Sequence, residues 1–141
     1  MSVDPIAISR SALDVEWQRM QVIAENLANE STTRVAGGGP WRPLELISGP
    51  TGFSAAMERG SSMSEPHTVA VLTIEPRGGL RRIYDPNHPD ADANGLVAYP
   101  AIDHAGQMAA LVKTARVYES NLTVMSLAQQ MTMRALEIGK R

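Results

Sequence analysis

The sequence predicts a mainly α-helical chain with a small β-containing middle. Long N- and C-terminal helices are expected to pair as a coiled coil, with an irregular Gly/Pro-rich segment and one β-hairpin between them. Two observations indicate this fold class. Apolar residues near both ends recur at alternating steps of three and four, which is the spacing of a helical seam. All but two of the 11 glycines and all but one of the 9 prolines lie within residues 30–101.

The N-terminal helix is expected from about residue 6 to residue 28. Pro5 suits the first helical position and Asp4 can cap it, and neither Gly nor Pro interrupts the chain from Ile6 to Asn29. The Asn, Ser and Thr residues after Ala28 favour helix less, so the helix should end there. Its candidate assembly seam is Leu13, Trp17, Met20, Ala24 and Leu27.

The middle segment, residues 30–101, carries the signs of a hairpin. Residues 67–76 (HTVAVLTIEP) are rich in β-branched side chains and predict a strand, residues 77–79 (RGG) a turn, and residues 80–84 (LRRIY) a returning strand. One short hairpin is marginally stable alone in water. We therefore expect it to depend on the helices or on a neighbouring molecule. The Pro-rich residues 85–100 predict a stiff connector to the next helix.

The C-terminal helix is expected from about residue 102 to residue 138, because no Gly or Pro occurs between Gly106 and Gly139. It carries two stripes of apolar or small residues. The first comprises Met108, Leu111, Ala115, Tyr118, Leu122 and Met125, and the second comprises Val117, Val124, Met131 and Ile138. On pattern alone, an antiparallel pair within one chain explains one stripe, while the excess stripe favours packing against other chains. Residues 1–29 and 102–141 would then form one assembly domain.

One acidic stretch raises the possibility of a calcium site. Asp90, Asp92 and Asn94 precede Gly95 with the spacing of the first half of an EF-hand loop. Position 12 of such a loop requires a bidentate Glu, and this chain has Ala101 there. The alternative is a set of local turns, for which Asn-Gly and Asp-Pro are common. We favour the turns.

Composition and motifs argue against other chemistry. The net charge of −2 gives no reason to expect nucleic acid. With 0 Cys there are no disulfides or thiolate sites. The sequence has no nucleophile elbow, phosphate-binding loop or HExxH motif. We expect no enzyme activity, no catalytic, cofactor-binding or metal residues, no cofactor and no cleaved signal peptide or membrane span.

Four stretches together resemble a known family. They are residues 24–32 (AENLANEST), 32–47 (TTRVAGGGPWRPLELI), 84–100 (YDPNHPDADANGLVAYP) and 115–139 (ARVYESNLTVMSLAQQMTMRALEIG). In content and order they are similar to the flagellar rod and hook protein family, over nearly the whole chain. The family motif falls on Asn26, Leu27, Ala28, Asn29, Asp85, Pro86, His88, Pro89, Asp92, Gly95, Arg116 and Asn121.

This resemblance implies a structural role in the bacterial flagellar basal body, as a subunit of the proximal rod that transmits torque. The implied partners are copies of the chain, other rod proteins, the basal-body ring and the export apparatus. The implied location is the periplasmic rod, reached by flagellar type III export without a cleaved signal peptide. Another rod or hook-junction protein is the alternative within this class, and a small calcium-binding module is the alternative outside it.

Overall fold

The computed structural model describes residues 5–49 and 71–139. Two long helices stand at the ends of this chain, with four short strands between them. The elements are α1 (Pro5–Ala28), β1 (Leu44–Gly49), β2 (Val71–Pro76), β3 (Leu80–Tyr84), β4 (Leu96–Pro100) and α2 (His104–Ile138). Both terminal helices and the small β region between them are thus confirmed.

The two helices pack against each other in antiparallel fashion. The Trp17 ring of α1 lies 6.4 Å from the Tyr118 ring of α2. Near the other end of the pair, the Glu30 carboxylate lies 2.8 Å from Nδ1 of His104. Twenty residues of α2 follow Tyr118, whereas twelve residues of α1 precede Trp17. About the last eight residues of α2 therefore extend past the first residue of α1.

The predicted strands exist, but their predicted pairing is wrong. Strand β2 pairs with β1, and β3 pairs with β4, so the chain forms two antiparallel two-stranded sheets. Neither Gly78 nor Gly79 has the positive φ that tight hairpin turns require. Instead, the backbone N–H groups of Arg77 and Gly78 both donate to the Pro43 carbonyl. Residues 67–70 of the predicted strand lie outside the described residues.

The predicted connector is also corrected by the structure. Residues 85–95 form the loop of the β3–β4 hairpin, and residues 96–100, which follow it, form strand β4. Gly95, at the end of the loop, has φ of 74°. The connector to α2 is therefore only residues 101–103, so the Pro-rich stretch closes a hairpin rather than spanning from the β region to the helix.

A small apolar core fixes the first sheet on α1. Val15 and Val22 of α1 pack with Leu46 of β1, and Leu44 covers this cluster. In the second sheet, Val97 of β4 is fully buried. Within the described residues, no helix is long and apolar enough to cross a membrane. The fold is thus a helical pair with one sheet held against α1.

Candidate assembly surface

Asn26 anchors the first sheet to the end of α1. Its side chain is 1% exposed. Its Nδ2 donates to the carbonyl of Leu44, and its Oδ1 accepts from the backbone N–H of Leu44, both at 2.8 Å. The indole Nε1 of Trp41 also donates to Oδ1, at 3.5 Å. The amide thus bonds β1 as a neighbouring strand would. It satisfies the backbone N–H and the carbonyl of Leu44.

The rest of this motif ends the helix. The Asn29 side chain donates to the Glu25 carbonyl at 2.9 Å and accepts from the Thr32 hydroxyl at 3.0 Å. Leu27 is half-buried, whereas Ala28 is exposed. The family resemblance identified these positions without assigning them roles. The structure gives the two asparagines distinct ones, as an anchor for β1 and as a terminator of α1.

Asp92 organises the end of the hairpin loop. Its Oδ1 accepts from the backbone N–H of Leu96 at 2.9 Å and from that of Asn94 at 2.8 Å. These two bonds, that from Leu96 foremost, hold the pKa of Asp92 below its ordinary value because they stabilise the carboxylate. The Gly95 N–H closes the same turn on the Asp92 carbonyl. This arrangement is an Asx turn, one of the local turns that were predicted as the alternative to a calcium site.

Asp90 ties the same loop to the segment that follows α1. The Thr33 hydroxyl donates to its Oδ2 at 2.8 Å, and the Arg34 guanidinium pairs with its Oδ1. His88 supports the loop, since its Nδ1 accepts from the Asp90 N–H at 3.1 Å and its ring packs edge-on against Tyr99. Sequence reasoning missed this tether, because Thr33 lies 57 residues from Asp90.

The described residues contain no group of three or more His, Cys, Asp or Glu placed to hold a metal ion. Both Asp90 oxygens and one Asp92 oxygen already serve bonds within the loop or to its neighbours. Asp85, at the start of the loop, accepts from the Asn87 N–H at 3.3 Å. Pro86 and Pro89 are exposed. The acidic residues thus act here as turn and tether groups.

Buried positions on α1 follow a seam that differs partly from the candidate one. Leu13 is buried, and Met20 and Leu27 are half-buried, whereas Trp17 and Ala24 are exposed. Buried or half-buried positions recur in alternating steps of four and three at Ser9, Leu13, Glu16, Met20, Ile23, Leu27 and Glu30. A second face, with Val15, Val22 and Asn26, holds β1. Sequence reasoning missed this face, although its apolar seven-residue step is visible in the sequence.

The side of α2 with the lowest exposure is largely polar or small. Its buried or half-buried positions include Gln107, Leu111, Thr114, Tyr118, Asn121, Met125 and Ala128, again in steps of four and three. Of the first candidate stripe, Leu111, Ala115, Tyr118 and Met125 are half-buried. Met108 and Leu122 of that stripe are exposed, as is Arg116 of the family motif. Only Thr114 is fully buried along α2.

Most of the large apolar side chains of α2 are instead exposed. The second candidate stripe is exposed throughout, from 39% at Val117 to 77% at Ile138. We call the whole exposed set the α2 outer surface: Met108, Val112, Val117, Leu122, Val124, Leu127, Met131, Met133, Leu136 and Ile138. Extensive exposed apolar surface is uncommon on soluble monomers and often marks an interaction site. This arrangement is suited to binding other chains.

No family model matches the chain. Curated relatives do match it along almost its whole length. A flagellar basal-body rod protein FlgC of Bacillus subtilis is 38% identical over 142 residues, covering 94% of this chain and 95% of the relative. The FlgC of Borreliella burgdorferi is 31% identical, and that of Salmonella typhimurium 29%, each covering 94% of this chain and 94% of the relative. The chain therefore belongs to the family of the flagellar basal-body rod protein FlgC.

Proposed function

We infer that this chain is a structural subunit of the flagellar basal-body rod and that α2 joins it to its neighbours. The observation that carries this inference is the α2 outer surface, ten large apolar side chains exposed along one helix. Burial of apolar area stabilises association by about 25 cal/mol per Å². Assembly thus supplies the burial that the single chain leaves incomplete, in keeping with the name that the relatives carry.

Within this role, α1 and α2 pair as a coiled coil. The alternating four-three steps of low exposure on both helices support this pairing. The seam mixes apolar with polar residues, since Glu16, Gln107 and Thr114 belong to it. Residues 1–29 and 102–141 accordingly form one assembly domain, and the apolar stripe at Val117, Val124, Met131 and Ile138 contacts neighbouring subunits. The described strands, β1 to β4, lie outside this helical pair.

The subunit belongs to the proximal rod in the periplasmic space. Its neighbours there are copies of itself and other rod proteins, with the basal-body ring and the export apparatus nearby. It reaches this place by the flagellar type III route. The exposed length of α2 supports contact with neighbouring subunits, and the family supports the basal-body location.

A pair of substitutions tests the outward role of α2. Met131→Glu places a charge on the α2 outer surface, where Met131 is 65% exposed. The adjacent Gln130 is also exposed, so Gln130→Glu is the matched control. Stability of the isolated chain should change by no more than about 0.5 kcal/mol in either variant, because both sites are exposed. Both variants are then expressed in cells that lack their own copy of this chain.

Met131→Glu should reduce incorporation into isolated basal bodies and swimming by about tenfold or more, since assembly would bury an unpaired charge. Gln130→Glu should retain both. Normal swimming of cells that carry Met131→Glu would exclude this face as an assembly contact. Failure of the unaltered chain to restore swimming would exclude the rod role itself.

A further inference from the structure

The outer edge of β3 carries backbone groups that have no partner in the described part of the chain. In an antiparallel pair, hydrogen-bonded residue pairs alternate with non-bonded ones. The Asp85 N–H donates to the Gly95 carbonyl, and the Ala101 N–H donates to the Gly79 carbonyl. In the β3–β4 register, the bonded pairs between these two are therefore Arg81↔Tyr99 and Ile83↔Val97. The N–H and carbonyl groups of Leu80, Arg82 and Tyr84 consequently point away from β4.

The outer edge of β4, by contrast, is almost closed. The outward N–H of Leu96 donates to Asp92 Oδ1, and its outward carbonyl accepts from the Asp92 N–H, both at 2.9 Å. Pro100, at the other end of the strand, has no N–H to offer. Within residues 5–49 and 71–139, Ala98 alone presents an unpaired N–H on that side. One edge of this small sheet is thus protected, and the other is open.

Nothing in the described part of the chain covers the open edge. All five residues of β3 are exposed. Leu80 and Ile83 are each 42% exposed, and Tyr84 is 69% exposed. No described group bonds to the outward backbone of Leu80, Arg82 or Tyr84. Folded proteins usually protect such edges, because an open edge pairs with any suitable strand. An edge open on one side only is suited to receiving a strand from another chain.

The charge of β3 indicates what kind of strand fits. Arg81 and Arg82 lie side by side in a strand with no acidic residue. Arg81 is engaged with the Tyr99 ring, at 5.7 Å from its centroid. Arg82 forms no ion pair at contact distance among the described residues, although its charge acts on the Asp92 carboxylate from farther away. If the same strand of a second copy paired antiparallel about its middle residue, Arg82 would face Arg82. Like charges directly opposite are destabilising.

We propose that β3 is a docking strand for an extended segment of a different protein. That segment adds to the open edge through the backbone of Leu80, Arg82 and Tyr84, places a carboxylate opposite Arg82, and covers Leu80 and Tyr84 with apolar side chains. The inference rests on the proposed rod role, since it identifies the chemistry of one neighbour. It concerns a contact separate from the α2 outer surface.

Two proline variants test the edge directly. Arg82 and Ala98 face each other in the register, yet their N–H groups point to opposite edges. Arg82→Pro removes a donor from the open edge, and Ala98→Pro removes one from the nearly closed edge, while neither touches a β3–β4 hydrogen bond. Each is expressed in cells that lack their own copy of this chain. The unaltered chain is tested in parallel, and its failure to restore swimming would count against the rod role alone.

Arg82→Pro should lower incorporation into isolated basal bodies at least several-fold and impair swimming, while Ala98→Pro should retain both. Thermal melts of the purified chains check the fold. Arg82→Glu, which leaves the backbone intact, provides a second test if Arg82→Pro does not fold, and it should give the same loss. Normal incorporation of Arg82→Glu or of folded Arg82→Pro, or an equal loss with folded Ala98→Pro, would overturn the proposal.

A photo-reactive amino acid at position 82 identifies the occupant in assembled basal bodies. A crosslink to an extended segment of another protein, with an Asp or Glu near the crosslinked residue, would support the proposal. Crosslinks to β3 of a second copy or to a segment of the same chain would overturn it, as would the absence of any crosslink. The same amino acid at position 98 serves as the control for the nearly closed edge.

Discussion

At the scale of single residues, two polar side chains determine where the β region sits. Asn26, in the last turn of α1, bonds the backbone of Leu44. Asp90, in the hairpin loop, bonds Thr33 and Arg34 in the segment that follows α1. Both side chains are polar, so the hydrophobic effect does not account for their positions. Each satisfies groups that lie far away in sequence, so these hydrogen bonds act together with the apolar cluster of Val15, Val22 and Leu46 in positioning the sheets.

Replacing Asn26 tests the first of these anchors. Asn26→Ala would leave the N–H and carbonyl of Leu44 without their partners in a buried site, which costs about 1–3 kcal/mol for each unsatisfied group. We expect the free energy of unfolding to fall by about 2 kcal/mol or more, as measured by urea denaturation of the purified chain.

Asn29→Ala is the matched control, because it removes the other asparagine of the same motif. Asn29 bonds only to nearby groups, and its bond to Glu25 is exposed. Its loss should cost about 0.5 kcal/mol. Similar losses for both variants would mean that Asn26 contributes no more than a local helix-end contact.

At the scale of elements, the helices could be predicted from the sequence and the strand pairing could not. Helix formation is local, so the uninterrupted stretches before Ala28 and after Gly106 were sufficient. The partner of a strand is set by distant residues: β1 pairs with β2, and more than twenty residues separate them in sequence. Strand β1 was missed because its only β-branched residue is Ile47. The prediction therefore paired β2 with β3, which are adjacent in sequence, and this hairpin is wrong.

The candidate assembly residues show the same limit. Periodicity located apolar stripes on both helices, and Leu13 and the stripe at Val117 were found in this way. Periodicity did not show whether Glu16 or Trp17 lies closer to the partner helix. In the structure, Glu16 is half-buried and Trp17 is exposed. An exposed aromatic and a half-buried carboxylate reverse the usual preference. Only the position of the partner helix decides between such alternatives.

The turn between the two sheets leads us to expect different effects of substitution at Gly78 and Gly79. A Cβ on Gly78 would overlap the Pro43 ring, whereas a Cβ on Gly79 would lie 3.9 Å from Ala101, which is an ordinary contact. Pro43 is buried and its ring cannot rotate away. Gly78→Ala should therefore lower the free energy of unfolding by about 1–3 kcal/mol.

Gly79→Ala should change stability by about 0.5 kcal/mol or less, and thermal melts of the two purified variants make the comparison. Both glycines have negative φ, so backbone strain does not separate them. If Gly79→Ala were as damaging as Gly78→Ala, the close approach to Pro43 would not be the cause.

At the scale of the whole molecule, the buried core is small for the length of the helices. In the described residues, the buried apolar side chains other than proline are Leu13, Val15, Val22, Ile23, Leu46 and Val97, and none of them lies on α2. The longest element of the fold thus contributes little to the core. Most helical stability in proteins comes from packing of an apolar face. The chain is consequently built to complete its packing with other chains.

The last two turns of α2 make the clearest test of that conclusion. Residues 131–138 extend past the first residue of α1, and every one of them is exposed. In dilute solution their amide hydrogens should exchange at least about tenfold faster than those of residues 111–118, a stretch held in the helical pair through Leu111, Thr114 and Tyr118, because local opening costs little where packing is absent. Hydrogen exchange read by mass spectrometry resolves the two segments. In assembled basal bodies the difference should disappear as neighbours cover Met131 and Ile138. Equal protection of the two segments in the dilute chain would mean that α2 is stable without partners, and assembly would then not be what orders its end.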